Sequence, residues 1–429
     1  MIRLDTRDTG FEAAFTQLLD AGRDTTARVD GAVAAIVAEI RARGDAALCE
    51  LTERYDGVPI TPGRLRVAPA EIAAAAAGIP APLMAALTLA AGRIEAFHRA
   101  QMPSDLRIED DAGLTLGLRW TPLDAVGLYV PGGKAAYPSS VLMNALPARV
   151  AGVARVAMCV PARDGVIPPL VLAAAQLAGV DEIYRVGGAQ AIAALAYGTA
   201  TIRPVDRIVG PGNAYVAEAK RQVFGRVGID SIAGPSEVVI LADADQNPGH
   251  VALDLLAQAE HDEAAQSILV TTSATLAGHV AAAVEHALAT LPRAAIAGAS
   301  WRGHGAIILV RDWPEAAALT DRLAPEHLQI MVADPESLFA TIKHAGAAFL
   351  GRFCPEAIGD YVAGPNHVLP TGRTARFASG LSVFDFLKRT TWVAADAAAL
   401  ARVGPAAIAL ARAEGLDAHA QSVAARLSR

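Results

Sequence analysis

The feature that most limits how this 429-residue chain can fold is a repeated alternation of short apolar runs with alanine-rich helical stretches. From residue 155 to 224 the order reads strand Arg155–Val160, helix Pro168–Leu177, strand Glu182–Val186, helix Ala189–Tyr197, strand Arg207–Val209, helix Asn213–Phe224. A second run places strands at Glu237–Leu241, Ser267–Thr271, Ala306–Val310, Leu328–Val332 and Ala347–Leu350, with helices between them. Strands separated by whole helices cannot pair as hairpins, so they lie parallel, with helices on the faces. The expectation is an α/β protein of two parallel-sheet units, with seams near residues 127 and 236. Ahead of them, residues 10–102 read as almost entirely helical: Gly44 separates Val29–Arg43 from Asp45–Tyr55, and a long helix runs from Pro82 to His98. A β-rich passage, Leu114–Trp120 and Ala125–Val130, leads into the first unit. Beyond Leu381 the pattern changes to a Phe-rich segment and a helical tail, Pro405 to Arg426.

Composition narrows the class. The chain exceeds what one core accommodates, and 53% apolar residues with only 5% aromatic imply an aliphatic interior between alanine-rich helices. A net charge of −7 without a dense Lys/Arg run argues against nucleic acid or an anionic membrane as the main partner. Cys49, Cys159 and Cys354 are odd in number and far apart, which fits free thiols in a reducing compartment. No apolar leader follows Met1 and no run approaches membrane-spanning length, so a soluble cytoplasmic protein is expected.

Several stretches carry candidate chemistry. Gln258 and His261 are three apart in an expected helix, Asp254 to Glu263, so they share one face and could grip a metal; an exposed polar face is the bland alternative. Glycine turns occur at Gly127-Leu-Tyr129-Val-Pro131-Gly132-Gly133-Lys134, Gly187-Gly188-Ala189-Gln190 and Gly210-Pro211-Gly212-Asn213. None fits a phosphate fingerprint: Ala135 follows the lysine, and Gly-x-Gly-x-x-Gly is absent. Three such loops at the carboxyl ends of parallel strands nonetheless suit an anionic nucleotide. Glu326 and His327 are adjacent just before a strand, where both can reach one small substrate as proton acceptors. The loop Gly359–His367 adds Asp360 and His367. Glu414 and His419, five apart in the tail, would point roughly 140° apart on an unbroken helix, and a break at Gly415 would let both face one site. Cys354 is flanked by Phe353 and Pro355 rather than a base, so all three cysteines read as small core fillers.

Together these motifs resemble histidinol dehydrogenases over nearly the whole chain. The residues that carry the likeness are Tyr129-Val-Pro-Gly-Gly133, Gly187 to Gln190, Gly210 to Asn213, Ala233-Gly-Pro-Ser-Glu237, Gln258-Ala-Glu-His261, Pro325-Glu-His-Leu328, Gly359-Asp-Tyr361, Asn366 to Thr371, Phe384-Asp-Phe386 and Glu414 to His419. The resemblance implies oxidation of L-histidinol to L-histidine with two NAD⁺ and one Zn²⁺ per subunit. It also implies incomplete Rossmann-like domains, which accounts for the missing dinucleotide fingerprint. Gln258, His261, Asp360 and His419 match the zinc ligands; Tyr129, Gln190 and Asn213 match NAD contacts. Ser236, His327 and Glu414 match substrate contacts along with the metal ligands, and Glu326 and His327 the catalytic pair. The implied organisation is an N-terminal helical segment 1–23, a metal and catalytic domain from 24–126 with 237–380, an NAD-binding domain 127–236, and a tail 381–429 exchanged between subunits of a homodimer. A same-fold dehydrogenase of another small amino- or sulfo-alcohol, a zinc hydrolase using Glu326 as base, and a non-catalytic binding protein are the rival readings; NAD binding separates the dehydrogenases from the other two.

Overall fold

Alternation along β4 (Ala125–Tyr129) and β5 (Arg155–Cys159) shows how the first sheet is buried on both sides. Val126, Leu128, Val156 and Met158 enter one core, while Ala125, Tyr129, Ala157 and Cys159 enter the other. The computed structural model describes residues 1–20, 29–132, 137–232 and 234–427. Gly133 and Lys134 of the first glycine turn, Ala233, positions 21–23 of the expected N-terminal segment and the last two residues of the tail lie outside the described residues.

The strands of the described residues are β1 (Ile2–Asp5), β2 (Leu106–Glu109), β3 (Thr115–Pro122), then β4 and β5, followed by β6 (Glu182–Tyr184), β7 (Arg207–Val209) and β8 (Gly228–Ile229). After them come β9 (Glu237–Ala242), β10 (Gln266–Thr271), β11 (Ala306–Leu309), β12 (His327–Met331), β13 (Ala347–Leu350) and β14 (Leu387–Ala394). One five-stranded parallel sheet has the order β6-β5-β4-β7-β8, and a six-stranded parallel sheet has the order β1-β11-β10-β9-β12-β13. The two parallel-sheet α/β units are therefore as expected, with a small antiparallel ribbon, β14-β3-β2, beside them. Among the described residues no single helix is long and apolar enough to cross a membrane.

Three expectations change. The first residues are not a separate helical segment: β1 pairs parallel with β11, and the helix Phe11–Asp20 inserts Phe11, Phe15 and Leu18 into the core under the six-stranded sheet. The helices from 30 to 100 do not join that sheet, as the implied domain 24–126 with 237–380 would have them. Val33, Ile36, Ile40 and Leu48 pack with Tyr129 and the helix Gly188–Tyr197, while Leu87, Ile94 and Ala91 pack over Val126 and Val156. The physical reason is the small alanine surface of the 188–197 helix, which accepts a close apolar face from a segment far away in sequence; periodicity shows that a face is apolar, not what it meets. Third, the Phe-rich segment does not lead straight into the helical tail: a short 3-10 turn, Val383–Phe386, is followed by a strand, β14. Gly117 leaves room for the Trp392 indole between β3 and β14: a Cβ there would lie 2.0 Å from the ring. Helices Ala397–Ala413 and Asp417–Leu427 follow, separated at Gly415 (φ +75°) as expected, and Gly404 lets Leu427 and Val423 approach closely.

Candidate active site

The metal-type residues gather at the amino ends of β9 and β12, not at the carboxyl ends where open sheets usually bind ligands. The helix Trp313–Leu323 ends at Ala324, a fully buried residue held in the left-handed region at φ +45°. Non-glycine residues adopt that conformation at a cost, and it persists where surrounding packing demands it. It turns the chain so that Pro325 and Glu326 enter β12 from beneath, with Glu326 5% and His327 4% exposed. Gly346 holds the turn from the far side: a Cβ there would be 2.5 Å from the Glu326 carbonyl oxygen.

The imidazole of His327 has a defined direction. Nδ1 lies 3.1 Å from the Glu237 carbonyl oxygen, which can only accept, so Nδ1 carries the proton and Nε2 presents a lone pair. Nε2 has no hydrogen-bond partner among the described residues and sits 3.9 Å from Asp360 Oδ1. Burial pushes the ring's pKa down to about 4, with Asp360 opposing, so His327 is neutral at physiological pH. The Glu326 carboxyl accepts from the Glu237 N–H at 2.9 Å and from the Ser236 hydroxyl. Burial holds it well above the usual carboxylate range, reinforced by Glu237 and Asp360. Glu356 is equally buried, 3.5 Å from His327 Nδ1, and is pushed up by burial and by Asp360, Glu326 and Asp254.

Of the expected metal residues, Asp360 lies in this cluster: one ligand atom each of His327, Glu356 and Asp360 falls within 4.8 Å of the others. The helix bearing Gln258 ends at Ala259, so the expected extension to Glu263 is not observed. Gln258 therefore lies in the last helical turn, and the His261 N–H donates to its carbonyl oxygen at 3.2 Å, keeping one turn between them. Gln258 is fully buried, yet neither its amide oxygen nor its nitrogen has a partner among the described residues. His261 is exposed but close enough to influence the charge of His327 and His367. Glu414 and His419 are exposed on the tail, outside this cluster. Cys159 is a buried filler as expected, whereas Cys49 and Cys354 are only partly buried.

Two further residues belong to the cluster. Glu356 is one helical turn before Asp360, so the i, i+4 carboxylates on one short helix were a readable signal. His367, noted only as part of a loop, receives its place from two contacts: Nδ1 lies 3.0 Å from the Asp360 carbonyl oxygen and Nε2 3.5 Å from Ser140 Oγ. Asn366 donates to the Met143 carbonyl at 2.6 Å, so this loop fastens the cluster to the helix after β4. Replacing Glu356 with glutamine removes a carboxylate whose ionised form is disfavoured in the fold. Such a group loses stability as pH rises from its unfolded value near 4.5. Glu356→Gln should therefore raise the melting temperature of chelator-treated protein, with the gain growing from pH 5 upward; an unchanged melting temperature at pH 8 would contradict the assignment.

The glycine loops line the carboxyl ends of the five-stranded sheet, as the βαβ reading requires. The Tyr129 hydroxyl, at the end of β4, accepts from the Gly188 N–H at 3.1 Å, and burial pushes its pKa up. Gln190 is 2% exposed in the first turn of its helix, and its amide nitrogen has no partner among the described residues. The exposed Asn213 caps the helix Ala214–Val223, accepting from the Tyr215 and Val216 N–H groups. Gly132 and Gly187 both close on Pro161, where a Cβ would meet the ring at 2.8 and 2.7 Å. A backbone this bare, with helix N-termini beside it, suits a pyrophosphate.

Comparison with known proteins decides the family. A family model described as histidinol dehydrogenase matches residues 20–427. The chain belongs to the histidinol dehydrogenase family. It is 65% identical to the histidinol dehydrogenase of Gluconobacter oxydans over 429 residues, covering 100% of both chains. It is 62% identical to that of Ruegeria pomeroyi, covering 99% of this chain and 98% of the relative. The crystal structure of histidinol dehydrogenase from Elizabethkingia anophelis superposes with a TM-score of 0.95 at 36% identity, covering 100% of this chain and 98% of that one. The protein is thus an oxidoreductase with the fold of a histidinol dehydrogenase.

Proposed function

We propose that the chain oxidises L-histidinol to L-histidine through histidinaldehyde, using two NAD⁺ and one Zn²⁺ per subunit, as the last step of histidine biosynthesis. The observation that carries this is the pairing of Glu326 with His327, whose free Nε2 faces Asp360. The buried amide of Gln258, without partners among the described residues, fits a metal: such a group is costly unless something external engages it. Gln258, His261 and Asp360 would hold the ion with His419 of the partner subunit, an oxygen and nitrogen set that leaves room for substrate donors. Tyr129, Gln190 and Asn213 would contact NAD, with the unpartnered Gln190 amide and the bare glycine loops supporting that fit. When bound, zinc supplies a positive anchor for the substrate's imidazole and amine, and each NAD⁺ accepts one hydride.

His327 Nε2 takes the hydroxyl proton as hydride leaves the carbinol carbon, its Nδ1–H remaining on the Glu237 carbonyl. Glu326, made more basic by burial, then takes a proton from water as that water adds to the aldehyde. His327 gives the proton it took to the aldehyde oxygen as the water adds, which forms the hydrate and frees Nε2 to take a hydroxyl proton again as the hydrate loses its hydride, leaving the carboxylic acid. Ser236 orients Glu326, and with Glu414 of the partner subunit would complete the substrate pocket. Exposure of Glu414 and His419 on tail helices that pack on each other supports an exchanged tail in a homodimer.

The test is NADH counted per L-histidinol consumed by zinc-loaded protein. Two are expected, lost with a chelator and restored by zinc; NADH only with another amino- or sulfo-alcohol would change the substrate. Glu326→Gln should spare formation of the first NADH and slow the second by about 10²–10⁴. Equal losses in both half-reactions would remove Glu326 from the water-activating role.

A further inference from the structure

Lys220 and Asp230 form an ion pair with almost no solvent access: their side chains are 3% and 5% exposed. Burying two charges is expensive, and an apolar pair of similar volume often serves stability as well or better. The pair does something an apolar pair could not. Lys220 Nζ donates to the Gly210 carbonyl oxygen at 2.9 Å, and Asp230 Oδ2 accepts from the Gly210 N–H at 2.7 Å. Both polar groups of one glycine are thus held by opposite ends of one ion pair. Gly210 has φ +111°, and a Cβ there would lie 2.1 Å from the Tyr129 carbonyl oxygen. Only glycine fits this contact with the end of β4, and glycine is also the residue whose flanking peptides turn over most freely.

The next three residues give the arrangement its meaning. Pro211 and Gly212 lead at once to Asn213, whose side chain caps the next helix. The loop is therefore fastened at its first residue by the ion pair and at its last by the cap. Tyr129, on the other side of the Gly210 contact, has its hydroxyl on the Gly188 N–H, so two cofactor loops meet at this glycine.

We infer that Lys220 and Asp230 are positioning residues for dinucleotide binding, orienting the two peptides of Gly210 so that Tyr129 and Asn213 stand at the spacing the cofactor requires. This rests on the dehydrogenase function proposed for the chain. The pair touches neither metal nor substrate; it acts through the loop.

The test uses full-length, zinc-loaded protein and three measurements: NADH binding by fluorescence titration, L-histidinol binding without cofactor by calorimetry, and thermal unfolding. The variants are Lys220→Met and the double replacement Lys220→Met with Asp230→Leu. The single variant leaves a buried carboxylate unpaired and is expected to lose both stability and NADH affinity. The double variant removes both charges, so it is expected to regain most of the melting temperature and to bind histidinol as the parent does. It should still bind NADH at least tenfold more weakly, because nothing then orients the Gly210 peptides. NADH affinity in the double variant equal to that of the parent would overturn the inference and leave the dehydrogenase function intact. A joint fall of NADH affinity, histidinol affinity and melting temperature would overturn it too, since a merely structural pair would produce that pattern. A parent that binds histidinol but no NADH would overturn the dehydrogenase function itself, and the positioning role with it.

Discussion

Replacing His327 with asparagine should lower kcat for histidine formation by about 10²–10⁴, the usual loss on removing a placed general base. The geometry makes the replacement informative. An asparagine amide can still donate toward the Glu237 carbonyl oxygen, 3.1 Å from Nδ1 in the parent, so the turn into β12 keeps its anchor. What disappears is the lone pair at Nε2 that faces Asp360. The loss should fall on kcat in both half-reactions, with KM for histidinol changed little. A variant retaining kcat within a few-fold would remove His327 from proton transfer. The pH dependence carries a sign as well. Burial depresses the ring's pKa to about 4 against 6.5 when unfolded, so between these values the unfolded chain binds a proton that the folded chain refuses. The parent therefore loses stability at this ring as pH falls through that window, and the asparagine variant lacks that share of acid sensitivity.

Mixing two inactive variants should restore histidine formation if tails are exchanged. In a His419→Ala subunit paired with a Glu326→Gln subunit, one site receives both defects and the other neither. The intact site combines Glu326 of the first subunit with His419 of the second. The expectation rests on the exposed tail positions of Glu414, which caps the end of its helix, and His419, which lies beyond Gly415 (φ +75°) in the next helix. Heterodimers that form, verified by two affinity tags, yet make no histidine would show that each tail serves its own chain.

Legibility in the sequence followed burial. Strands β4, β5 and β9 are covered on both faces, so after Arg155 and Glu237 at the starts of the last two their residues form apolar runs that stand out from the helices around them, whereas β12, equally buried, carries His327 and Gln329. The strand β14 reads Leu-Lys-Arg-Thr-Thr-Trp-Val-Ala, mostly exposed, and its pairing depends on the hole left by Gly117 rather than on any pattern of its own. Helix Asp30–Arg43 was legible as a helix, but the sheet that receives it depends on tertiary contact. The site divides in the same way. The adjacency of Glu326 and His327 and the spacing of Gln258 and His261 are visible along the chain, and the family resemblance assigns their roles. Which ends of the strands they occupy is not visible, because that depends on the buried left-handed turn at Ala324.

The pairing of β1 has a consequence for the order in which the sheets form. Ile2 pairs with Ala306, so β1 waits for a neighbour some three hundred residues further along the chain. The five-stranded sheet closes once residue 229 is available, and its strands come in one continuous stretch. Vectorial synthesis therefore favours a nucleus around the glycine loops of that sheet, with β1 held in reserve until the second sheet emerges.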